Sequence, residues 1–519
     1  MADDYTKSVS NHKILRNTFS NYAGKFVSLT TWFILTPFIL SHLGDTVYGV
    51  WVLVTSLVAY GTLFDLGIST AVTKYIAEYR ARGEYQQEQG LVATALSLYT
   101  LLGLVVFAIS VIIAPLFPRI FNIPPEQHST AVLLVLLSGL NVGLSIPFSM
   151  APAILRGLQR FDLINLIGIP GNLLYTASTI IVLYLGGGAI GLVATTLIVN
   201  IVMQMVQIWV IHRTAPELRY SWRGSSRKLI RTLVSYSYTI FLLNLNGYLE
   251  TKTDEMVIGA NLPVNIIAPY NIARRLSGLP QMLTDQFISL ILPLASELDA
   301  GNDKVRLRSL YIVSTRLTLA IFLPVGAVLV ILASPIIRLW VGSAYVGYSY
   351  LVLIFTLASL IDTSQWPAGL ILQGMARHKL LATVSLSSGI ANLVLSLVLV
   401  RTLGLTGVAF GTLIPTSIVC IGFVMPYTMR LLSVNLVEAA RQILFPPAIP
   451  AIPMVIVMLI LRGAFEQPSI FTIAIVAGAG LLVYALGYLS MNSNSFESEI
   501  FRNLATSTIR FAKVYLKSS

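Results

Sequence analysis

Cysteine and charge are both scarce in this chain of 519 residues. The single cysteine, Cys420, lies in an apolar stretch, which leaves no disulfide framework and no cysteine metal cluster. The five histidines show no metal-ligand spacing, and the chain lacks the Gly-x-x-x-x-Gly-Lys-Ser/Thr loop that binds ATP. The segment 1–17 is polar, so we expect no cleaved signal peptide.

Charged residues make up 11% of the chain, against roughly 25% in a soluble domain. Fourteen apolar stretches are long enough to cross a bilayer, which takes about 20 residues each. The sequence therefore predicts an all-α polytopic membrane protein with 14 transmembrane helices. Their approximate ranges are 18–41, 47–72, 90–116, 130–155, 162–185, 189–211, 230–259, 264–293, 311–333, 346–372, 379–401, 406–429, 441–462 and 469–490.

Lysines and arginines fall into alternate gaps between these stretches, where each gap is numbered after the stretch that precedes it. The even-numbered gaps and both termini hold 25 of the 34, whereas the odd-numbered gaps hold Arg119, Arg338, Arg401 and Arg462. Because cytoplasmic loops retain positive charge, the pattern predicts that both termini are cytoplasmic. The net charge of +12 could suggest nucleic acid, but the cations lie in short loops beside helix ends. Topology and anionic lipid headgroups explain them better, so no nucleic-acid partner is expected.

The chain also repeats itself. Arg156-Gly157-Leu158-Gln159-Arg160 precedes one helix, and Gln373-Gly374-Met375-Ala376-Arg377 precedes another, with a shift of 217 in the numbering. A Gly-x-x-Gly element follows each helix, beginning at Gly188 and Gly404, with a shift of 216. Close helix packing would explain single glycines, but not two ordered motifs at nearly one shift. The repeat holds six helices, an even number, which predicts parallel copies related by a pseudo-two-fold axis along the membrane normal.

This repeat predicts the domain organisation. Two lobes that rock against each other would form an alternating-access transporter with its substrate at their interface. The predicted segments are a cytoplasmic N-terminal segment (1–17), a first lobe with helices 1–6 (18–211), a cytoplasmic inter-lobe loop (212–229), a second lobe with helices 7–12 (230–429), helices 13–14 (441–490) and a cytoplasmic amphipathic tail (495–519).

Five cations lie inside predicted membrane helices: Lys25, Lys252, Arg274, Arg275 and Arg316. A charge there costs at least roughly 2.5–3.5 kcal/mol, so it usually faces a cavity or a partner. Arginine suits phosphate because its planar fork donates two parallel hydrogen bonds. We therefore predict a substrate-binding site containing Lys25, Arg274, Arg275 and Lys252. Only one of the adjacent arginines can face the cavity, since helix neighbours are about 100° apart. Pairing with interior acids is the alternative for the lysines, and Arg316 is interpreted as an interfacial residue.

Several acids also lie inside the predicted helices. A carboxylate in a low-dielectric setting can take up a proton or a sodium ion. Asp65, Asp285 and Asp362 are the candidates for such ion coupling, and salt bridging or helix capping is the alternative for each. The remaining interior acids, Glu250 with its neighbours Asp254 and Glu255, lie beside Lys252. Apart from a coupling proton or sodium ion, no cofactor or metal is expected.

Three stretches near the start of the chain carry a family resemblance. They are Leu43-Gly44-Asp45-Thr46-Val47-Tyr48-Gly49-Val50-Trp51, Phe64-Asp65-Leu66-Gly67-Ile68 and Lys74-Tyr75-Ile76-Ala77-Glu78. They resemble the opening of Wzx-type polysaccharide and O-antigen flippases. These flippases form the polysaccharide transporter family of the multidrug/oligosaccharidyl-lipid/polysaccharide exporter superfamily.

The resemblance implies a flippase, not an enzyme. Its substrate would be an oligosaccharide on undecaprenyl diphosphate, moved from the inner to the outer leaflet of a bacterial or archaeal cytoplasmic membrane. The product would serve O-antigen, capsule or exopolysaccharide synthesis, with polymerase and chain-length proteins of the same pathway as partners besides membrane lipids. In the related lipid II flippases the central cavity is cationic, and the two extra helices form a groove for the lipid tail.

Two other functions remain open. A drug or metabolite exporter of the same superfamily typically has 12 helices and binds cations through acids, whereas this sequence has 14 predicted helices and Lys25 in the first. A membrane glycosyl polymerase or ligase usually needs a substantial external loop. The external gaps here are short and hold no paired carboxylates or histidine cluster.

Overall fold

A computed structural model describes residues 2–218, 220–222, 224–288, 291–464 and 469–491. The side chains at positions 2–29, 32, 235, 236, 238–240, 242–244, 246, 250, 251, 286, 287 and 378–380 are not described. The predicted tail 495–519 and the side chain of Lys25 therefore lie outside the described residues.

Every regular element in the described ranges is a helix. The 3-10 helices are Tyr60–Asp65, Pro125–Gln127, Val264–Ile266 and Ser343–Tyr348, and the π-helical turns are Cys420–Val424 and Ala440–Leu444. The α-helices are α1 (Ala2–Ala59), α2 (Ile68–Arg82), α3 (Tyr85–Ile113), α4 (Phe117–Ile120), α5 (His128–Phe148), α6 (Met150–Gly157), α7 (Phe161–Tyr184), α8 (Gly188–Thr214), α9 (Arg227–Asn261), α10 (Ile267–Ser277), α11 (Leu279–Ile288), α12 (Ile291–Ala300), α13 (Lys304–Ile331), α14 (Ala333–Trp340), α15 (Tyr350–Gly374), α16 (His378–Val419), α17 (Met425–Leu431), α18 (Leu436–Ala439), α19 (Phe445–Ala464) and α20 (Ile470–Met491).

Ten helical segments among the described residues are long and apolar enough to cross a membrane. Two of them, Phe33–Arg82 and Leu381–Leu431, have 50 and 51 residues, more than twice the length of one crossing. Gly44 (φ 69°) and Gly404 (φ 57°) interrupt the helical backbone inside two of the predicted gaps. Segments α9 to α12 hold most of the interior charges and are not among the ten. The multi-pass helical fold is confirmed, and the count of 14 stays a prediction.

Contacts between loops agree with the alternation that the charge pattern predicts. In each of the two units described below, residues in or beside one even-numbered gap contact residues in or beside another even-numbered gap. Residues in or beside odd-numbered gaps likewise contact one another. The even-numbered contacts are Arg80 with Glu217, Arg308 with Glu438, and Arg377 with Tyr427; the odd-numbered ones are Asn122 with Gly259 and Arg462 with Ile331. Each contact joins segments that the positive-inside pattern assigns to the same side of the membrane.

The first compact unit contains residues 1–268 and 389–408. Its core lies where α2, α3 and α6 meet, around the fully buried side chains of Ile76, Leu91, Tyr99, Met150 and Ile154. Helix α9 packs against α1, α2 and α3 and so belongs to this unit, although the sequence placed it in the second lobe. The lobe boundaries stay a prediction.

The second unit contains residues 269–388 and 409–519. Helix α13 packs against α12 and α15 around Ile291, Tyr311 and Ile371. The last two described helices, α19 and α20, pack against each other and against α13, through Met454 and Val476 among others. Among the residues of this unit that the structure describes, two hydrophobic clusters lie at these contacts.

The two Gly-x-x-Arg motifs of the repeat, Gly157-Leu158-Gln159-Arg160 and Gly374-Met375-Ala376-Arg377, adopt the same turn. Helix α6 ends before Gln159 (φ 57°), and α15 ends before Ala376 (φ 56°), the equivalent position of the second motif. The equivalent hydrogen bonds run from Arg160 N to Leu155 O and from Arg377 N to Leu372 O, each 2.8 Å long. Local geometry thus repeats at the shift seen in the sequence, and the six-helix layout of the repeat stays a prediction.

Replacing Gly103 by alanine is expected to lower thermal stability. A Cβ atom there would lie 2.2 Å from the Gly143 carbonyl oxygen, a backbone atom that can retreat only if α3 and α5 separate. Overpacking of this kind costs about 1–3 kcal/mol. Thermal unfolding of the purified protein in detergent measures the effect, with Gly168→Ala as the control because its Cβ would meet nothing within 4 Å. Equal melting temperatures for the two variants would contradict the described packing.

Candidate functional site

The predicted second membrane helix is broken in the structure. After α1 the chain forms the 3-10 helix Tyr60–Asp65, then passes through Leu66 (φ 52°) and Gly67 (φ 77°) before α2 begins. Left-handed backbone at these two positions cannot continue an α-helix, so the continuous span 47–72 was wrong at this point. Irregular backbone at membrane depth is tolerated where it is buried in protein or lines a water-filled cavity. The break therefore marks a polar region inside the first unit.

Asp65 lies at this break and is half-buried. Its carboxylate accepts hydrogen bonds from the Ser69 hydroxyl (2.9 Å), the Ser69 backbone N–H (3.4 Å) and the Tyr99 hydroxyl. Ser69 is in the first turn of α2, whose N-cap residue is Gly67, so Asp65 caps a first-turn N–H group from two residues before the N-cap. Helix capping is the alternative that the sequence left open for Asp65. Its part in ion coupling stays a prediction.

The break is also tied to helix α9. The Tyr60 hydroxyl lies 2.5 Å from Thr253 Oγ1 and donates to the Tyr248 carbonyl at 3.2 Å. The Thr62 hydroxyl lies 2.5 Å from the Tyr248 hydroxyl. Sequence reasoning did not select these residues, because tyrosine and threonine are common in membrane helices. Their hydrogen bonds join the 3-10 segment to the charged part of α9.

That part of α9 carries a lysine and buried acids. Lys252 is half-buried, whereas Asp254 is 0% and Glu255 2% exposed. Carboxyl groups buried to this extent require partners or protons. The side chain of Glu250 lies outside the described residues. The proximity of Lys252 to these acids along the helix favours the internal pairing considered for it, and its contact with substrate stays a prediction.

In the second unit, α10 holds both predicted arginines, each half-buried. The Arg274 guanidinium carbon lies 5.6 Å from the centre of the Phe355 ring, which is within the range of a cation–π interaction. Tyr270 packs edge-on against the same ring, with the centroids 5.1 Å apart. An aromatic pair thus positions the Arg274 guanidinium, and Arg275 is about 100° further around the helix.

The predicted eighth membrane helix is divided, as the second one is. Helix α10 ends at Ser277, Gly278 follows, and α11 and α12 continue the chain, so a single helix over 264–293 was wrong. Two of the predicted coupling acids lie near this division. Asp362 Oδ2 accepts from Trp366 Nε1 (3.1 Å) and Gln281 Nε2 (3.3 Å), whereas Asp285 on α11 is exposed. Asp362 is thus held by two donors, one of them on α11.

A cluster of charged side chains around Arg80 links loops that are predicted to be cytoplasmic. Arg80 Nε and Nη2 each lie 3.1 Å from Glu88 Oε1, and Arg80 also pairs with Glu217 in the inter-lobe loop. The Glu88 side chain is 0% exposed, whereas that of Glu217 is 41% exposed. A backbone hydrogen bond and then the Arg80 guanidinium lower the pKa of Glu217. Sequence reasoning missed this cluster because 137 residues separate Arg80 from Glu217.

The predicted binding residues therefore fall into two separately described groups. Lys252 belongs to the first unit, and Arg274 and Arg275 belong to the second. The structure brings Asp65 to Tyr99, and Arg274 to Phe355. A shared cavity between the lobes, and the convergence of the four cations on it, stay predictions.

Comparisons with known proteins match a large part of the chain. A protein-family profile described as "Polysaccharide biosynthesis protein" matches residues 43–350, more than half of the 519 residues. A curated relative, the probable low-salt glycan biosynthesis flippase Agl15 of Haloferax volcanii, is 23% identical over 235 residues. That alignment covers 44% of this chain and 49% of the relative, so the chain matches about half of the relative's length.

Solved structures share the fold. The lipid II flippase MurJ in an inward closed conformation superposes with a TM-score of 0.74 at 15% identity, covering 92% of this chain and 99% of MurJ. An inward-facing multidrug resistance MATE family transporter of the MOP superfamily gives 0.66 at 16% identity, covering 77% of this chain and 97% of the transporter. At these identities the likeness establishes the fold alone.

Proposed function

Because this chain belongs to the polysaccharide biosynthesis protein family, we propose that it translocates an oligosaccharide linked to undecaprenyl diphosphate from the inner to the outer leaflet. The observation that carries the proposal is the extent of the family match. Residues 43–350 include both divided helices and the charged side chains Asp65, Lys252, Arg274 and Arg275. The protein would thus act as a transporter and not as an enzyme.

The physical problem is the headgroup. A diphosphate with several sugars cannot enter hydrocarbon unless a polar, cationic environment replaces its water. We assign Arg274 or Arg275, together with Lys25, to the diphosphate, and Lys252 to a supporting role. The headgroup would enter an inward-open cavity, rocking of the lobes would expose it outward, and the polyprenyl tail would remain in lipid along α19 and α20.

Ion coupling is expected to depend on Asp362 or Asp65. Asp362→Asn keeps the size of the side chain and removes its charge, so flipping should become independent of an imposed proton or sodium gradient. The same measurement on Asp65→Asn separates coupling from capping, since asparagine also caps helices well. Asp285→Asn is the third arm, at an exposed site. Unchanged gradient dependence in all three variants would remove these acids from the coupling step.

We assign the protein to the cytoplasmic membrane of a bacterium or archaeon, with both termini cytoplasmic. Its glycan would supply O-antigen, capsule or exopolysaccharide synthesis, and polymerase and chain-length proteins of the same pathway would use the flipped product.

A second function, ion-coupled export of small molecules, is supported by the fold shared with the MATE transporter.

Expression in a bacterium that lacks its own polysaccharide flippase tests the proposal against this alternative. Restored surface polysaccharide, with no change in resistance to cationic drugs, is the expected result. Raised drug resistance without restored polysaccharide would favour the exporter. The intracellular level of lipid-linked glycan should fall when flipping is restored, which distinguishes transport from altered synthesis.

A further inference from the structure

An open cavity of about 230 Å³ lies at the surface of the second unit, and both arginines in its lining are exposed. Its walls come from α14, α19, α20, the 3-10 helix Ser343–Tyr348 and Leu332, the residue between α13 and α14. The polar side chains that line it are Ser334, Arg338, Arg462 and Thr472. As far as the described residues go, no acid is among the lining. The cavity therefore combines two positive charges with two hydroxyl groups.

The presence of both arginines here is informative because cations are rare in the predicted external gaps. Those gaps hold only four lysines or arginines in the whole sequence, and two of the four line this one cavity. Arg462 Nη1 donates to the carbonyl oxygen of Ile331 at 2.7 Å, which fixes the position of its guanidinium. A guanidinium has five N–H donors, so one such bond leaves capacity for an anionic ligand.

The start of α20 adds to the positive character of the wall. Thr472, in its first turn, accepts from Ser469 N (2.7 Å), and Thr472 N donates to Ser469 Oγ (3.1 Å). This reciprocal capping begins a helix of 22 residues whose positive dipole end lies at the cavity, where Thr472 and Ile473 form part of the lining. Two guanidinium groups and a helix N-terminus thus favour the same kind of ligand, a phosphate.

The surroundings indicate that the phosphate belongs to a lipid. Ile470 is 80% and Phe471 74% exposed at the start of α20, and Leu339 beside Arg338 is 42% exposed. The lining itself includes the apolar side chains of Leu332, Val346 and Ile473, among others. A free phosphate would leave this apolar surface uncovered.

We propose that this cavity binds the phosphate of an anionic phospholipid from the outer leaflet. The two arginines and the α20 N-terminus would hold the headgroup, and the acyl chains would cover Ile470 and Phe471. Such a lipid would join α19 and α20 to α14 at the external membrane surface. The proposal rests on the residues of the second unit and on the predicted topology, and it is independent of the transported substrate.

Lipid binding by the full-length protein, measured by native mass spectrometry, tests the proposal. Phosphatidylglycerol should be retained in preference to phosphatidylcholine. Arg338→Ala and Arg462→Ala should each weaken phosphatidylglycerol binding about tenfold, the effect of one charge-assisted hydrogen bond. Arg401→Ala removes an exposed cation from another predicted external gap and should have no effect. Equal retention of both lipids, or equal losses in all three variants, would overturn the proposal.

Two further arms distinguish other sources of phosphate. Undecaprenyl diphosphate or inorganic phosphate that displaced phosphatidylglycerol at equal concentration would overturn the assignment to a phospholipid.

Glu466 follows Arg462 closely in the sequence and lies outside the described residues, so Glu466→Gln is measured as well. If only the Glu466→Gln variant retained phosphatidylglycerol, the Glu466 carboxylate would neutralise the arginines of the unmodified protein, and the proposal would be refuted. Because Arg462 also caps a carbonyl, Arg338→Ala with an unchanged melting temperature is the decisive variant.

Discussion

Arg274→Ala is expected to reduce flipping of a diphosphate-linked glycan by about 10- to 100-fold while the melting temperature changes little. Hydrogen bonds to charged groups contribute roughly 1.5–3 kcal/mol, and each 1.4 kcal/mol is a factor of ten. The guanidinium is half-buried above Phe355, so alanine removes the side chain proposed to bind phosphate without opening a large core cavity. Initial rates in reconstituted vesicles give the effect directly.

Three matched variants separate charge from geometry. Arg274→Lys keeps the charge but loses the planar fork, so it should retain only part of the rate. Phe355→Leu keeps both arginines but removes the aromatic face that orients Arg274, and a smaller loss is expected. Arg316→Ala removes one equivalent charge from α13 and should leave flipping normal. Full activity of Arg274→Ala, Arg275→Ala and Lys25→Ala would remove the phosphate site from the mechanism.

Arg80→Ala is expected to be the most destabilising of the substitutions considered. It leaves Glu88, whose side chain is 0% exposed, without the guanidinium that lies 3.1 Å from it. Removing one partner of a buried ion pair typically costs about 3–5 kcal/mol, because the remaining charge is buried without compensation. A large fall in the melting temperature and in the yield of folded protein should follow. A melting temperature equal to that of the unmodified protein would contradict the described cluster.

The double variant Arg80→Ala/Glu88→Gln is the control for this effect. It removes the uncompensated charge and should recover part of the lost stability. Glu217→Gln should have a small effect, because that carboxylate is exposed and surface pairs contribute little. The pKa of Glu217 is lowered on folding, so its contribution is present above its unfolded pKa and is lost as the pH falls through the lowered value.

Features with a local or periodic cause could be predicted from the sequence. The apolar stretches indicated the helical membrane fold, because a helix pairs all of its backbone N–H and C=O groups within the segment that crosses the lipid. Gly44 (φ 69°, ψ 167°) and Gly404 (φ 57°, ψ −135°) lie in predicted gaps and adopt backbone conformations that are open essentially only to glycine. The paired turns at Gln159 and Ala376 follow from one motif that occurs twice in the sequence.

Features that depend on distant contacts could not be predicted. The division of helix 2 at Leu66 has no breaker signal at that residue, and it is stabilised by hydrogen bonds to α9, which lies far along the chain. The assignment of Asp65 as a cap required the position of Ser69 relative to that division. Phe355 is one aromatic residue among many until the fold places its ring beside Arg274.

The decisive measurement is flipping in vesicles that contain only this protein. Undecaprenyl-diphosphate oligosaccharides of defined structure are incorporated into the inner leaflet, and the arrival of the glycan outside is followed with an impermeant lectin, with and without ion gradients. Outward movement is expected to be well above that of protein-free vesicles and to be lost in Arg274→Ala. Movement no faster than in protein-free vesicles, by folded protein and under every gradient, would contradict the proposed flippase function.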